Sequence, residues 1–389
     1  MTKNLLLGAI GLGAFMVGIG VGNRIVQESM EDVLFSDTLA QTQIPPGSLG
    51  KPGDKEKNAL SEDSQNMVEN SQGEKVSAQR ARLDCSNFRC YEEYYVHLLR
   101  TKDVAAAFTD LKERYQTDSY VKSMCHPLVH VFGRTAVEKY PKVSEAFSHG
   151  DPFCWSGYFH GVMEGILRKT NDKDLPQVIK AVCDDIPGKE KYTFDYYNCV
   201  HGLGHGVMYV TNNELFDALQ MCNNLEGSWE QQSCWGGVFM ENVIADFENH
   251  FTKYLKPEDP LYPCNAVDEM YRPTCYLMQT SYMLKVTNYD FQKVFELCTQ
   301  AGSDTLAGLC YQSLGRDASG STISDPLKTK NYCLLGKDFR QQSSCVIGAV
   351  KDFISYFHSD IQAKEFCGAL RQDLGQICFD TAETYYRTF

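Results

Sequence analysis

The sequence predicts an all-α protein: a single transmembrane helix at the amino terminus, a disordered tether, and then an array of helical hairpins stapled by disulfides. Three observations predict this. Residues 5–22 (LLLGAIGLGAFMVGIGVG) carry no charge, and such a run, rising about 1.5 Å per residue as a helix, approaches the thickness of a bilayer's hydrocarbon. Sixteen cysteines are present, and most of them recur downstream at a regular interval. No segment alternates apolar and polar residues strongly enough to read as a half-buried strand.

The chain has 389 residues, 43% of them apolar, enough for a large core and too many for a wholly disordered protein. Its net charge is −13 with no Lys/Arg run. It therefore lacks the clustered positive charge that displaces counterions from a phosphate backbone, and nucleic acid is not an expected partner. Residues 1–4 read as a cytoplasmic end and residues 5–22 as a signal anchor. The apolar run is long and continues to Asn23 and Arg24 without an obvious A-x-A cleavage site, so the anchor is expected to stay uncleaved and to make the membrane a partner. Residues 23–82 are rich in Pro, Gly, Ser, Asn, Lys and Glu over most of their length and form the tether, because they hold too few apolar side chains to bury a core.

From Cys183 onward the cysteines fall in couples: Cys183 with Cys199, Cys222 with Cys234, Cys264 with Cys275, Cys298 with Cys310, Cys333 with Cys345, and Cys367 with Cys378. From Cys222 the couples start 42, 34, 35 and 34 residues apart, a helix-hairpin period. One cysteine closes an apolar helical stretch (LFDALQMC, FQKVFELC), a polar loop follows, and the next opens another helix (CWGGVFMENV, CVIGAVKDF). Each couple is expected to form a disulfide. The remaining four pair most simply as Cys85 with Cys90 and Cys125 with Cys154. A zinc reading fits poorly, since no C-x-x-C knuckle occurs. Disulfides require an oxidising compartment, which places the chain after the anchor in the periplasm or cell exterior.

The repeat of about 34 to 36 residues from Cys222 to Phe389, with a cysteine ending one hairpin and another starting the next, resembles the cysteine-stapled Sel1-like branch of tetratricopeptide-type solenoids. The likeness is architectural. The loops lack the G-x-G turns of that branch, and the couples are more widely spaced. It implies a stacked helical surface of the kind used for protein contacts, and it carries no catalytic residue.

Residues 83–215 form a histidine-rich helical segment ahead of the Cys-paired repeats of 216–389. Its segments read CHPLVHVFGR from Cys125, CWSGYFHGVMEG from Cys154 and CVHGLGHGVM from Cys199. His126 with His130, His160 with Glu164, and His201 with His205 are i, i+4 pairs, each of which puts two side chains on one helix face. Two imidazoles one turn apart can chelate one Zn, Cu or Fe ion. Aligning the second and third segments at their cysteines puts Gly157 on Gly202 and His160 on His205; the next element keeps Gly237 but has Met240 in the histidine's place. Histidines confined to neighbouring hairpins are what a metal site between facing helices requires. The plainer readings are a buried polar network that fixes helix packing, with Glu164 pairing to Arg168 on the surface, and glycines that merely let helices approach. Pro127 is tolerated in a first turn, and Ser123 is a candidate cap. The doublets Tyr94–Tyr95 and Tyr196–Tyr197 read as core, with a groove lining as the alternative.

Two functions follow as expectations. The first is a membrane-anchored extracytoplasmic metal-binding protein using His126, His130, His160, Glu164, His201 and His205. Six donors exceed one tetrahedral ion, so two metals share them or some stand behind the ligands. A metal-activated water with Glu164 as general base would make a hydrolase, and redox-active iron or copper an oxidoreductase; haem or metal storage is a further variant. The second is a scaffold that binds an extracytoplasmic protein or peptide, its histidines purely structural.

Overall fold

The computed structural model describes residue 85 and residues 87–244, 252–323 and 325–387. The segments expected to form the anchor and the tether lie outside them. Among the described residues no helix is long and apolar enough to cross a membrane, and the only extended pairing is an isolated bridge between Lys256 and Asp259.

The helices are α1 (Phe88–Thr101), α2 (Val104–Thr117), α3 (Ser119–Ser123), α4 (Cys125–Ala136), α5 (Val143–Ser148), α6 (Gly157–Arg168), α7 (Leu175–Ala181), α8 (Phe194–Val210) and α9 (Leu215–Cys222). They continue as α10 (Ser228–Ile244), α11 (Arg272–Met278), α12 (Thr280–Val286), α13 (Phe291–Cys298), α14 (Asp304–Ser321), α15 (Pro326–Cys333), α16 (Phe339–Phe357), α17 (Ile361–Gly368) and α18 (Gln372–Tyr386). The short helices α9, α13, α15 and α17 each pack on the longer helix that follows. The longer helices, with the short α11 among them, then stack in chain order, α4 on α6, α6 on α8, α8 on α10, α10 on α11, α11 on α14, α14 on α16 and α16 on α18. One connected apolar core runs through the stack from Tyr91 to Tyr385.

Eight disulfides join the couples that the spacing paired, from Cys85–Cys90 and Cys125–Cys154 to Cys367–Cys378, and no described cysteine is free. No bridge overlaps another along the chain. They point to an oxidising, extracytoplasmic environment. The second cysteine of each later couple does not open its helix as expected. Cys310 and Cys345 lie well inside α14 and α16, which start at caps in the loop: Ser303 accepts from the Leu306 amide (3.2 Å) and Asp338 from the Gln341 amide (2.9 Å). Ser123 is likewise not a cap. It ends α3 with its hydroxyl on the Tyr120 carbonyl, and α4 begins after Met124 without a side-chain cap.

Paired glycines hold the long helices together at close range. A Cβ on Gly133 would meet the Tyr158 carbonyl at 2.1 Å, and one on Gly161 the His130 carbonyl at 2.0 Å. The same reciprocal contact joins α8 to α10, where Gly204 faces the Cys234 carbonyl (2.1 Å) and Gly237 that of His201 (2.0 Å), and α14 to α16, where Gly315 faces Cys345 and Gly348 faces Gln312 (both 1.9 Å). In each case the helices touch backbone to backbone, which only a residue without a side chain permits. The stack also curves back on itself. Tyr356 near the end of α16 packs on Trp155 (ring centroids 4.8 Å apart), and His358 packs on Phe194 at the start of α8 (4.6 Å).

Candidate metal centre

Gly133 and Gly161 bring α4 to α6, and Gly202 and Gly206 bring α8 to α6, where a Cβ would meet the His160 Cα at 3.3 Å and the Met163 carbonyl at 3.2 Å, so the imidazoles of the three helices meet. His126 and His130 project from α4, His160 from α6, and His201 and His205 from α8; all five are 7% exposed or less, and three are fully buried. His160 is the centre. Its ring lies 5.3 Å from that of His126, 5.4 Å from His130, 5.2 Å from His201 and 4.3 Å from His205, on which it stacks.

The outward-facing nitrogens are held from behind. His126 Nδ1 donates to the Cys154 carbonyl (2.8 Å), which is presented by three successive left-handed residues, Cys154, Trp155 and Ser156, at φ of 60°, 54° and 58°. Such a run in non-glycine residues is strained. His130 Nδ1 donates to Glu164 Oε1 (2.6 Å), and His205 Nδ1 to Glu241 Oε2 (2.5 Å). His201 Nδ1 meets the Tyr197 hydroxyl (2.9 Å). With Nδ1 engaged by an acceptor, His126, His130 and His205 leave Nε2 as the nitrogen available to a metal, the arrangement that outer carboxylates and carbonyls impose on metal-binding histidines.

At the centre the hydrogen bonding runs out. The Nε2 atoms of His126 and His130 face each other at 3.0 Å, where two lone pairs coexist only with a proton or a cation between them. Both nitrogens of His160, and Nε2 of His201 and His205, are buried without a hydrogen-bond partner. Three groups could hold a metal ion, each with donor atoms within 4.8 Å of one another: His126, His130 and His160; His160, His201 and His205; and His130, Glu164 and His205. Burial first, then neighbouring imidazoles, hold His126, His160 and His201 well below the usual histidine range. They are therefore neutral, as a ligand must be.

All six residues expected from the sequence thus lie in one cluster. Glu164 departs from the plainer expectation: it is 4% exposed and pairs with Arg134 (Oε2 to Nη1, 2.6 Å), while Arg168 lies over the Tyr209 ring. Burial raises the Glu164 pKa, but the facing His130 and Arg134 outweigh that and hold it well below the usual carboxylate range. The tyrosine doublets line no groove: Tyr95, Tyr196 and Tyr197 are buried, and Tyr94 bonds to Asp110 (3.0 Å). Sequence reasoning missed Arg134, Tyr197 and Glu241. Arg134 follows His130 by four residues and Tyr197 precedes His201 by four, so helical spacing carried both. Glu241 sits one residue past the position that aligns with the histidines, and the alignment passed over it. No family model, curated protein or solved structure matches the chain.

Proposed function

We propose that the chain is a membrane-anchored extracytoplasmic protein that binds transition metal through inward-facing imidazoles of α4, α6 and α8. One observation carries the reading: four imidazoles fixed from behind at Nδ1 surround the buried His160, and both nitrogens of His160 and Nε2 of His201 and His205 have no hydrogen-bond partner there. An unanswered buried polar atom costs about 1–3 kcal/mol, and several at one place are best explained by a cation. Imidazole donors suit zinc, copper or iron. Glu164 gives one oxygen to His130 and the other to Arg134, so in this reading it orients a ligand and is not the general base of a hydrolase.

The experiment is elemental analysis of the full-length chain, exported to an oxidising compartment and purified without a histidine tag or chelator. We expect stoichiometric metal in the wild type and its loss from a folded His130→Ala, His205→Ala double variant. Metal-free, folded wild type would defeat the reading. The alternative, a scaffold for an extracytoplasmic protein or peptide, draws support from Leu334, Leu335, Phe339 and Ile361, apolar side chains that stand exposed on the carboxy-terminal hairpins. It predicts that the double variant keeps full function.

A further inference from the structure

We infer that the centre holds two cations bridged by His160, one on Nδ1 and one on Nε2. The inference rests on the metal-binding reading and adds to it the number of ions and the group that joins them. His160 belongs to both all-histidine groups, with His126 and His130 on one side and with His201 and His205 on the other. No group of donors within 4.8 Å contains both His126 and His201 among the described residues, so one ion does not gather all five rings. An imidazole nitrogen has a single in-plane lone pair and takes one cation. Filling both groups therefore requires both nitrogens of His160.

Both are free for it. His160 is fully buried, and neither nitrogen has a hydrogen-bond partner, whereas each of the other four rings has its Nδ1 engaged. A purely structural histidine would leave an N–H and a lone pair unanswered in the interior, the arrangement that buried polar groups avoid. In the bridged state the first cation takes the lone pair of neutral His160. The second takes the other nitrogen as its N–H proton leaves to solvent, and the ring becomes an imidazolate carrying one negative charge. A carboxylate stands behind one ligand of each group, Glu164 behind His130 and Glu241 behind His205. Each side of the bridge thus has its own anion to offset the charge brought in.

The test is titration of the metal-stripped, full-length, tag-free chain with Cu²⁺ alone, followed by copper count and electron paramagnetic resonance. We expect two Cu²⁺ per chain, with a signal that grows over the first equivalent and falls over the second as the spins couple through the shared ring. In His160→Ala the fall disappears and capacity drops to one ion or fewer. Binding of a single Cu²⁺ by the wild type, or of two with undiminished signal, would overturn the bridge and leave the metal centre standing. Binding of none would overturn both. The wild-type spectrum decides the matter even if the variant does not fold.

Discussion

The α8–α10 and α14–α16 pairs are built on the same frame and filled in opposite ways. In both, two glycines lock the helices backbone to backbone, and the shared register aligns His201 with Gln312, His205 with Arg316, and Glu241 with Asp352. In the carboxy-terminal pair the interior polar groups largely answer one another. Arg316 donates to Ser313 (3.2 Å), Asp317 accepts from Thr280 (2.5 Å) and Ser281 (3.1 Å), and Asp352 accepts from Ser319 (2.6 Å). In the amino-terminal pair the same layer turns unpartnered imidazole nitrogens toward α6. The close helix approach is thus architecture common to both, and the open coordination belongs to the histidine end alone.

Substituting the frame should do the most damage at both ends while separating their roles. Gly161→Ala and Gly348→Ala each drive a Cβ into a carbonyl about 2 Å away and should destabilise by about 4 kcal/mol or prevent folding, as read by thermal melting. In the folded fraction Gly161→Ala should lose metal, because His130 must move, whereas Gly348→Ala should keep it. Equal metal loss would mean that the two ends are not separable. Next in size, removing Cys333–Cys345, which are 12 residues apart, should lower unfolding free energy by about 3 kcal/mol in denaturant titrations, with metal content unchanged.

The two ends should also respond to pH with opposite sign. Burial pushes the Asp352 carboxyl up from 3.8 to about 7 despite the Ser319 hydrogen bond and nearby Arg316. Between about pH 4 and 7 the folded chain therefore holds a proton that the unfolded chain has released, and stability should fall as pH rises through that window. The expected loss is roughly 2 to 3 kcal/mol, the full shift being discounted for relaxation around the buried charge. Asp352→Asn should flatten the profile. Glu164 is depressed, so its contribution is present above its ordinary value of 4.5 and is lost as pH falls below it. Denaturant midpoints of the metal-free protein against pH check both, and an unchanged slope in Asp352→Asn would refute the assignment. The smallest change, Glu241→Gln or Tyr197→Phe, should leave the melting temperature of metal-free protein nearly unchanged and weaken metal binding by about 10- to 100-fold, as read by competition with a chelating dye.

The legible parts of this molecule are those that the chain writes locally. A cysteine couple about 12 residues apart, set at the two ends of one polar loop, closes most simply across that loop, so the spacing suggested the pairing that the structure shows. An i, i+4 pair shares a helix face whatever surrounds it, so the histidines could be grouped before their neighbours were known. What packing adds across helices was hidden. Glu164 reaches Arg134 over 30 residues and His205 reaches Glu241 over 36, separations that no helical period encodes. Helix starts were misplaced for a similar reason: the cysteine is conspicuous, but the cap that begins the helix is a Ser or Asp in the polar loop before it.

The disulfides follow one another without nesting, the widest spanning 29 residues and the narrowest 5. During secretion each thiol would therefore find its proper partner among the next residues to emerge, before the following couple is exposed. Oxidation in simple order of arrival would then yield the native connectivity.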